Sequence, residues 1–135
     1  MFDFSKSELK AWNPAIPAGE YEFVSSKLEL GELAVKLVRR HEKPGEDFAC
    51  ELTSKPVWHC IVNDEQYQEQ LVAHGPGDMF EVANSPVIAG FLTHEFLYRE
   101  QGVKARHWVI MTMQECVHIV AEDEPEFRTI YGEAA

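Results

Sequence analysis

The stretch Ser26-Lys27-Leu28-Glu29-Leu30-Gly31-Glu32-Leu33-Ala34-Val35-Lys36-Leu37-Val38-Arg39-Arg40-His41-Glu42-Lys43 decides how the chain is read. Ser26 and Glu29 have the spacing of a capping box, in which each side chain satisfies a backbone N–H of the other at a helix start. Leu30, Leu33, Ala34, Leu37, Val38 and His41 recur at helical intervals. Glu29 and Glu32 lie early, and Lys36, Arg39, Arg40 and Lys43 lie late, which suits the helix macrodipole. Pro44-Gly45 supplies a stop. The rival is a hairpin bent at Gly31, because Leu28 and Leu30, then Leu33, Val35 and Leu37, also alternate. Glu, Leu, Ala, Lys and Arg dominate the segment and all favour helix, so the stretch reads as a helix.

Working outward, Phe2 to Trp12 reads as a short helix, and the Pro14, Pro17 and Gly19 cluster as a breaker. Glu20 to Val24 reads as a strand with Tyr21 and Phe23 on one face. Phe48 to Leu52 and Val57 to Val62 alternate as strands on either side of Ser54-Lys55-Pro56. Asn63 or Asp64 can cap a helix through Tyr67, Leu71 and Val72, followed by a strand over Met79 to Ala83. Ser85-Pro86 has the form of an N-cap and a first-turn proline, opening a helix toward Tyr98; two strands are the rival there. Arg106 to Ala121 is too long for one strand and breaks near Gln114. The expectation is a single α+β domain over residues 1–135, mainly antiparallel sheet with two to four helices and an acidic tail from about 122. The alternative is an all-β sandwich or barrel. Leu30, Leu33, Leu37, Phe48, Val57, Ile61, Phe91, Trp108, Ile110 and Val117 form the expected core.

Composition narrows the function classes. The chain has 135 residues, 45% of them hydrophobic, with eight Phe, four Tyr and three Trp, enough to fold as a globular domain. It lacks a basic, apolar leader and any run of roughly 18 apolar residues. Its three cysteines have no framework spacing, so a cytoplasmic location is expected. The formal net charge is −11. Between Pro44 and Tyr98 the only basic side chain, histidine aside, is Lys55. Such a field repels nucleic acid and steers a basic partner. The only basic cluster, Lys36, Arg39, Arg40 and Lys43, reads as the last turn of a helix balancing its dipole, so nucleic acid is not expected as a partner.

Chemistry-bearing groups are sparse. Cys116 and His118 are two apart on a strand and so share a face, with Cys60, His59 and His94 as further donors. The spacing matches no zinc pattern, and no metal or other cofactor is expected. Neither a nucleophilic cysteine nor an acid–base pair from His94 and Glu95, or from Glu115 and His118, is set up by local spacing. His74-Gly75-Pro76-Gly77-Asp78 follows a helix and carries an acid, which is wrong for a phosphate loop. Pro-Gly-Asp before a strand resembles the turn of cupin-type jelly rolls, but the paired histidines of a cupin metal site are missing. Phe2-Asp3-Phe4-Ser5 with Ile16-Pro17-Ala18-Gly19-Glu20-Tyr21-Glu22 resembles the opening of some small bacteriophage proteins, which implies a phage or bacterial origin and no function.

The leading expectation is a small acidic interaction protein, of inhibitor, immunity or chaperone type, that binds a basic protein surface through Asp64, Glu65, Glu69, Asp78 and Glu81. The second is a small enzyme or ligand-binding module with a pocket lined by Trp58, Trp108, Phe91 and Tyr98. The third is a phage accessory protein for single-stranded DNA, with Glu122 to Glu126 as a docking segment.

Overall fold

A computed structural model describes residues 3–17, 19–40, 47–64, 78–94 and 105–132. Nine strands run in the order β1 (Glu8–Ala11), β2 (Glu22–Glu29), β3 (Glu32–Arg39), β4 (Phe48–Ser54), β5 (Val57–Asp64), β6 (Met79–Ala83), β7 (Arg106–Met111), β8 (Glu115–Ala121) and β9 (Glu126–Tyr131). One helix, α1 (Pro86–His94), lies between β6 and β7. Every strand pair is antiparallel. The strands form a five-stranded sheet, β1-β6-β7-β8-β5, and a four-stranded sheet, β2-β3-β4-β9. The α+β expectation is therefore corrected to the all-β alternative, two antiparallel sheets with one helix among the described residues.

The correction turns on residues 26–39, which lie in the β2–β3 hairpin and not in a helix; 41–43 of the expected helix lie outside the described residues. Leu30 and Gly31 are its two turn residues, with φ of 52° and 79°. Positive φ at both centres is the type I′ geometry that matches strand twist. Glu29 and Glu32 close the ladder, and Leu28 pairs with Leu33. Leu33, Val35 and Leu37 all point into the space between the sheets, where each is at most 1% exposed. A helix would turn Val35 about 200° away from Leu33, leaving one of the three outside. Burying each is worth about 1.5–3 kcal/mol, whereas helix propensities differ by at most about 0.7 kcal/mol per residue. Burial wins. Leu30, expected in the core, is 95% exposed at the hairpin tip.

Two other expectations shift with it. The helix expected over Phe2 to Trp12 is absent from its described residues, 3–12: Glu8–Ala11 pairs with β6 as β1. The acidic tail from 122 is also corrected, because β9 pairs with β4 from Thr53↔Glu126 to Ala49↔Tyr131. The strands expected over 48–52, 57–62 and 79–83 are present, and Arg106–Ala121 divides into β7 and β8 around Thr112–Glu115. In that turn the Thr112 hydroxyl donates to the Glu115 carbonyl and accepts from its N–H. The β4–β5 connection carries a cis Lys55-Pro56 bond.

The five-stranded sheet is covered on both faces. Its inner face presents Trp108, Ile110, Val117 and Ile119 to Leu37, Phe48 and Leu52 of the other sheet. Its outer face presents Phe80, Val82, Val109, Met111, Cys116 and Val120, and is covered by Phe4 and by Val87 of α1. Lys36, Glu51 and Arg128 line up by register across the solvent face of the four-stranded sheet. Val57 and Ile61 of the expected core are half-buried, and the side chain of Phe91 is outside the described residues. None of the described helices is long and apolar enough to cross a membrane.

The hairpin makes a test at Leu30. An L residue in the left-handed region is strained by roughly 1–2 kcal/mol, and asparagine tolerates it better. Leu30→Asn should raise the unfolding free energy by about 0.5–1 kcal/mol in urea denaturation, since the exposed leucine loses no packing. A helix over 26–43 with Leu30 inward would respond with a clear loss.

Candidate functional site

Two places gather polar or shaped features. The first is an open groove of about 540 Å³ between residues 9–21 and the start of β6. Leu9, Pro14, Ile16 and Met79 form half-buried apolar walls, and Trp12 closes the floor. Trp12 is held there by its rings against Trp108 at 6.2 Å and Phe127 at 5.4 Å, and by its N–H donating to the Met79 carbonyl. The Tyr21 hydroxyl is engaged with the Pro17 carbonyl at 2.6 Å. Burial, with a smaller push from Cys50, raises Tyr21 to about 12, so it stays a neutral phenol. Asn13 and Asp78 stand exposed at the rim. Among the described residues this lining holds no nucleophile–base pair.

The second is a buried chain of side chains on the outer face of the five-stranded sheet. Ser85 Oγ lies 2.8 Å from His107 Nδ1, His107 Nε2 lies 2.9 Å from His118 Nδ1, and His118 Nε2 lies 3.2 Å from Cys116 Sγ. Ser85 is the N-cap of α1: its Oγ accepts from the N–H groups of Val87 and Ile88. With both lone pairs so used, its hydroxyl must donate to His107 Nδ1. The direction then propagates. His107 carries its proton on Nε2 and donates to His118, which carries its own on Nε2 and donates to Cys116. Phe4 covers both rings at about 6 Å. Asn84, at φ 56°, holds the first residues in place by donating to the Lys6 carbonyl and accepting from the Ser7 hydroxyl.

Burial, then His118, then His59 push His107 down to about 3; burial and His59 push His118 down to about 4. Both are neutral at pH 7. Their nitrogens face each other in sequence, and among the described residues no three His, Cys, Asp or Glu side chains converge on a metal position. Cys116 and His118 do share a face as expected. Cys50, Cys60 and Cys116 are thiols. Burial lifts Cys50 to about 12 and Cys60 to about 11, so neither offers a thiolate for nucleophilic work.

Of the five acids expected to bind a partner, only the side chains of Asp78 and Glu81 are among the described residues. Asp64 ends β5, where a helix start was expected, and its side chain is outside the described residues, as are Glu65 and Glu69. Asp78 is exposed at the groove rim. Glu81 makes two 2.8 Å bonds to Arg106, and this contact lowers the Glu81 pKa more than burial raises it. Of the expected aromatic pocket, Trp108 is fully buried and Trp58 half-buried in the packed clusters, while the Phe91 side chain and Tyr98 lie outside the described residues. Of the basic cluster, Lys36 and Arg39 stand on β3 and Arg40 pairs with Glu22 and Asp47, while Lys43 lies outside the described residues.

The groove escaped sequence reading because its walls come from residues 9–17 and 78–80, joined only through the β1–β6 register. No protein-family model, curated protein or solved structure matches the chain significantly.

The histidine chain carries a pH test. Both folded pKa values lie below the unfolded value near 6.5, so below that pH the unfolded state binds more protons and stability falls. The loss begins near pH 6.5 and accumulates until the pH reaches about 4 for His118 and about 3 for His107. By pH 5 it amounts to about 2 kcal/mol for each histidine. Thermal unfolding between pH 7 and 5 should show this steep drop, and His107→Gln with His118→Gln should flatten it. Nitrogen NMR of the imidazoles at pH 6 should find both rings neutral with protons on Nε2; a charged ring there would contradict the relay.

Proposed function

We propose that this chain is a binding protein whose partner presents a basic surface, and that the groove beside β1 is where contact is made. The groove carries the reading. It is open, walled by half-buried apolar side chains, and rimmed by an exposed carboxylate at Asp78. A cationic side chain with an apolar stem, lysine or arginine, fits that combination. The long-range field has the right sign, at a net charge of −11. Glu122, Asp123 and Glu124 add exposed acid on the β8–β9 connection, and Glu126 at the start of β9. With no nucleophile–base pair among the described residues that line the groove, binding is favoured over catalysis.

The groove's volume also falls within the range of small-molecule sites. The ligand-binding reading therefore moves here from Trp58, Trp108, Phe91 and Tyr98. Salt separates the two, because a neutral small ligand is indifferent to it.

A lysine-rich peptide titrated calorimetrically into the full chain should bind, and binding should weaken about tenfold between 50 and 300 mM salt. Asp78→Lys should weaken it about three- to tenfold at low salt, with the circular-dichroism spectrum and unfolding midpoint unchanged. Affinity that ignores both salt and Asp78→Lys would remove the basic-partner reading and leave the small-molecule one ahead.

A further inference from the structure

The backbone beside the groove is as specific as its walls. Trp12 donates its N–H to the Met79 carbonyl at 3.0 Å. In the β1–β6 register that makes Trp12 and Met79 a hydrogen-bonded pair. Such pairs alternate with non-bonded ones along an antiparallel ladder. Lys10↔Glu81 and Glu8↔Ala83 are then the next bonded pairs, and Leu9↔Val82 and Ala11↔Phe80 the non-bonded ones. Leu9 and Ala11 therefore aim their N–H and C=O groups away from β6, toward the open edge of the sheet. Among the described residues no strand lies on that side, because β1 is terminal in its sheet. The same two residues also line the groove.

We infer that β1 is a docking edge: an extended basic segment of the partner adds to it as a further strand and sets a lysine or arginine side chain into the groove. The inference rests on the reading of the groove as a site for a basic partner, and it names how that partner is held. Backbone bonds to Leu9 and Ala11 would supply sequence-independent affinity, and the groove would select the side chain between them. Charge selects the occupant, since an acidic segment would meet Asp78, Glu8 and the field of the whole chain. The four edges of the two sheets are β1, β5, β2 and β9. On β1 the outward backbone groups and the groove-lining side chains belong to the same residues, Leu9 and Ala11.

The test uses the full chain and an acetylated, amidated peptide of alternating lysine and valine, six residues long. Two isomers carry N-methyl groups on alternate residues, one set odd and the other even. Each keeps every side chain but loses the N–H donors along one edge. The isomer blocked on the edge that faces β1 should lose at least about tenfold in affinity, and the other should stay within about twofold of the parent. Amide exchange at Leu9 and Ala11 should slow when the parent peptide binds. If both isomers bind like the parent and binding still weakens with salt, strand addition is wrong while the basic-partner reading stands. If the parent peptide does not bind, or binds without regard to salt, both fall together.

Discussion

The centre of the five-stranded sheet has no wet side, and most of the molecule follows from that. β7 and β8 lie side by side in the middle of it, their inner residues in one apolar cluster and their outer residues in another. Two of the outer positions are His107 and His118, at most 2% exposed. A buried imidazole left without partners costs about 1–3 kcal/mol for each unmet group. Here the two rings satisfy each other and pass the remaining demand to Ser85 on one side and Cys116 on the other. Ser85 is also the cap of α1, so the helix is anchored to the sheet by the hydroxyl that fixes the histidine tautomers. Phe4 then finishes the layer. Helix start, imidazole pair and amino-terminal segment form one cooperative unit.

Much of this was legible in the residues and some was not. The alternation of Phe48–Leu52, Val57–Val62 and Met79–Ala83 carried their strands, and Ser85-Pro86 carried the helix start. Cys116 and His118 were correctly placed on one face. Their link to His107 required the hairpin register around Thr112–Glu115, which sets His107 opposite Val120 and His118 opposite Val109. That register was open once the break near Gln114 was accepted. Residues 26–43 misled because their charges and leucines satisfy helix and hairpin templates alike. The deciding feature was Val35, which a helix separates from Leu33 and Leu37 and a strand aligns with them. Glycine at 31 beside an expendable Leu30 was the local sign of the turn. The groove and the open edge of β1 had no local sign, because they arise from pairing across some seventy residues.

Charge has two roles in this molecule. Glu22, Glu29, Glu51 and Glu81 each face a cation, mostly across neighbouring strands. Exposed pairs of this kind contribute little stability, but they cancel locally and leave the far field to other residues. Arg106 shows both roles at once. It holds Glu81 and lies over the Trp108 ring, 4.7 Å from its centroid, and it also feels the acids Asp123 and Glu124 of the β8–β9 connection.

The order in which the chain leaves a ribosome runs against its architecture. The β2–β3–β4 meander can zip early, but the side chains that cover its inner face, Trp108, Ile110, Val117 and Ile119, come more than fifty residues later. β1 waits for β6, Phe4 waits for His107 and His118, and β4 keeps an open edge until β9 emerges. At roughly 5–20 residues per second the half-made protein spends several seconds with an uncovered apolar sheet. Its burden during synthesis is therefore one of timing. A holding chaperone, or a fast pause-free message through the second half, would serve this chain more than any added contact in the finished fold.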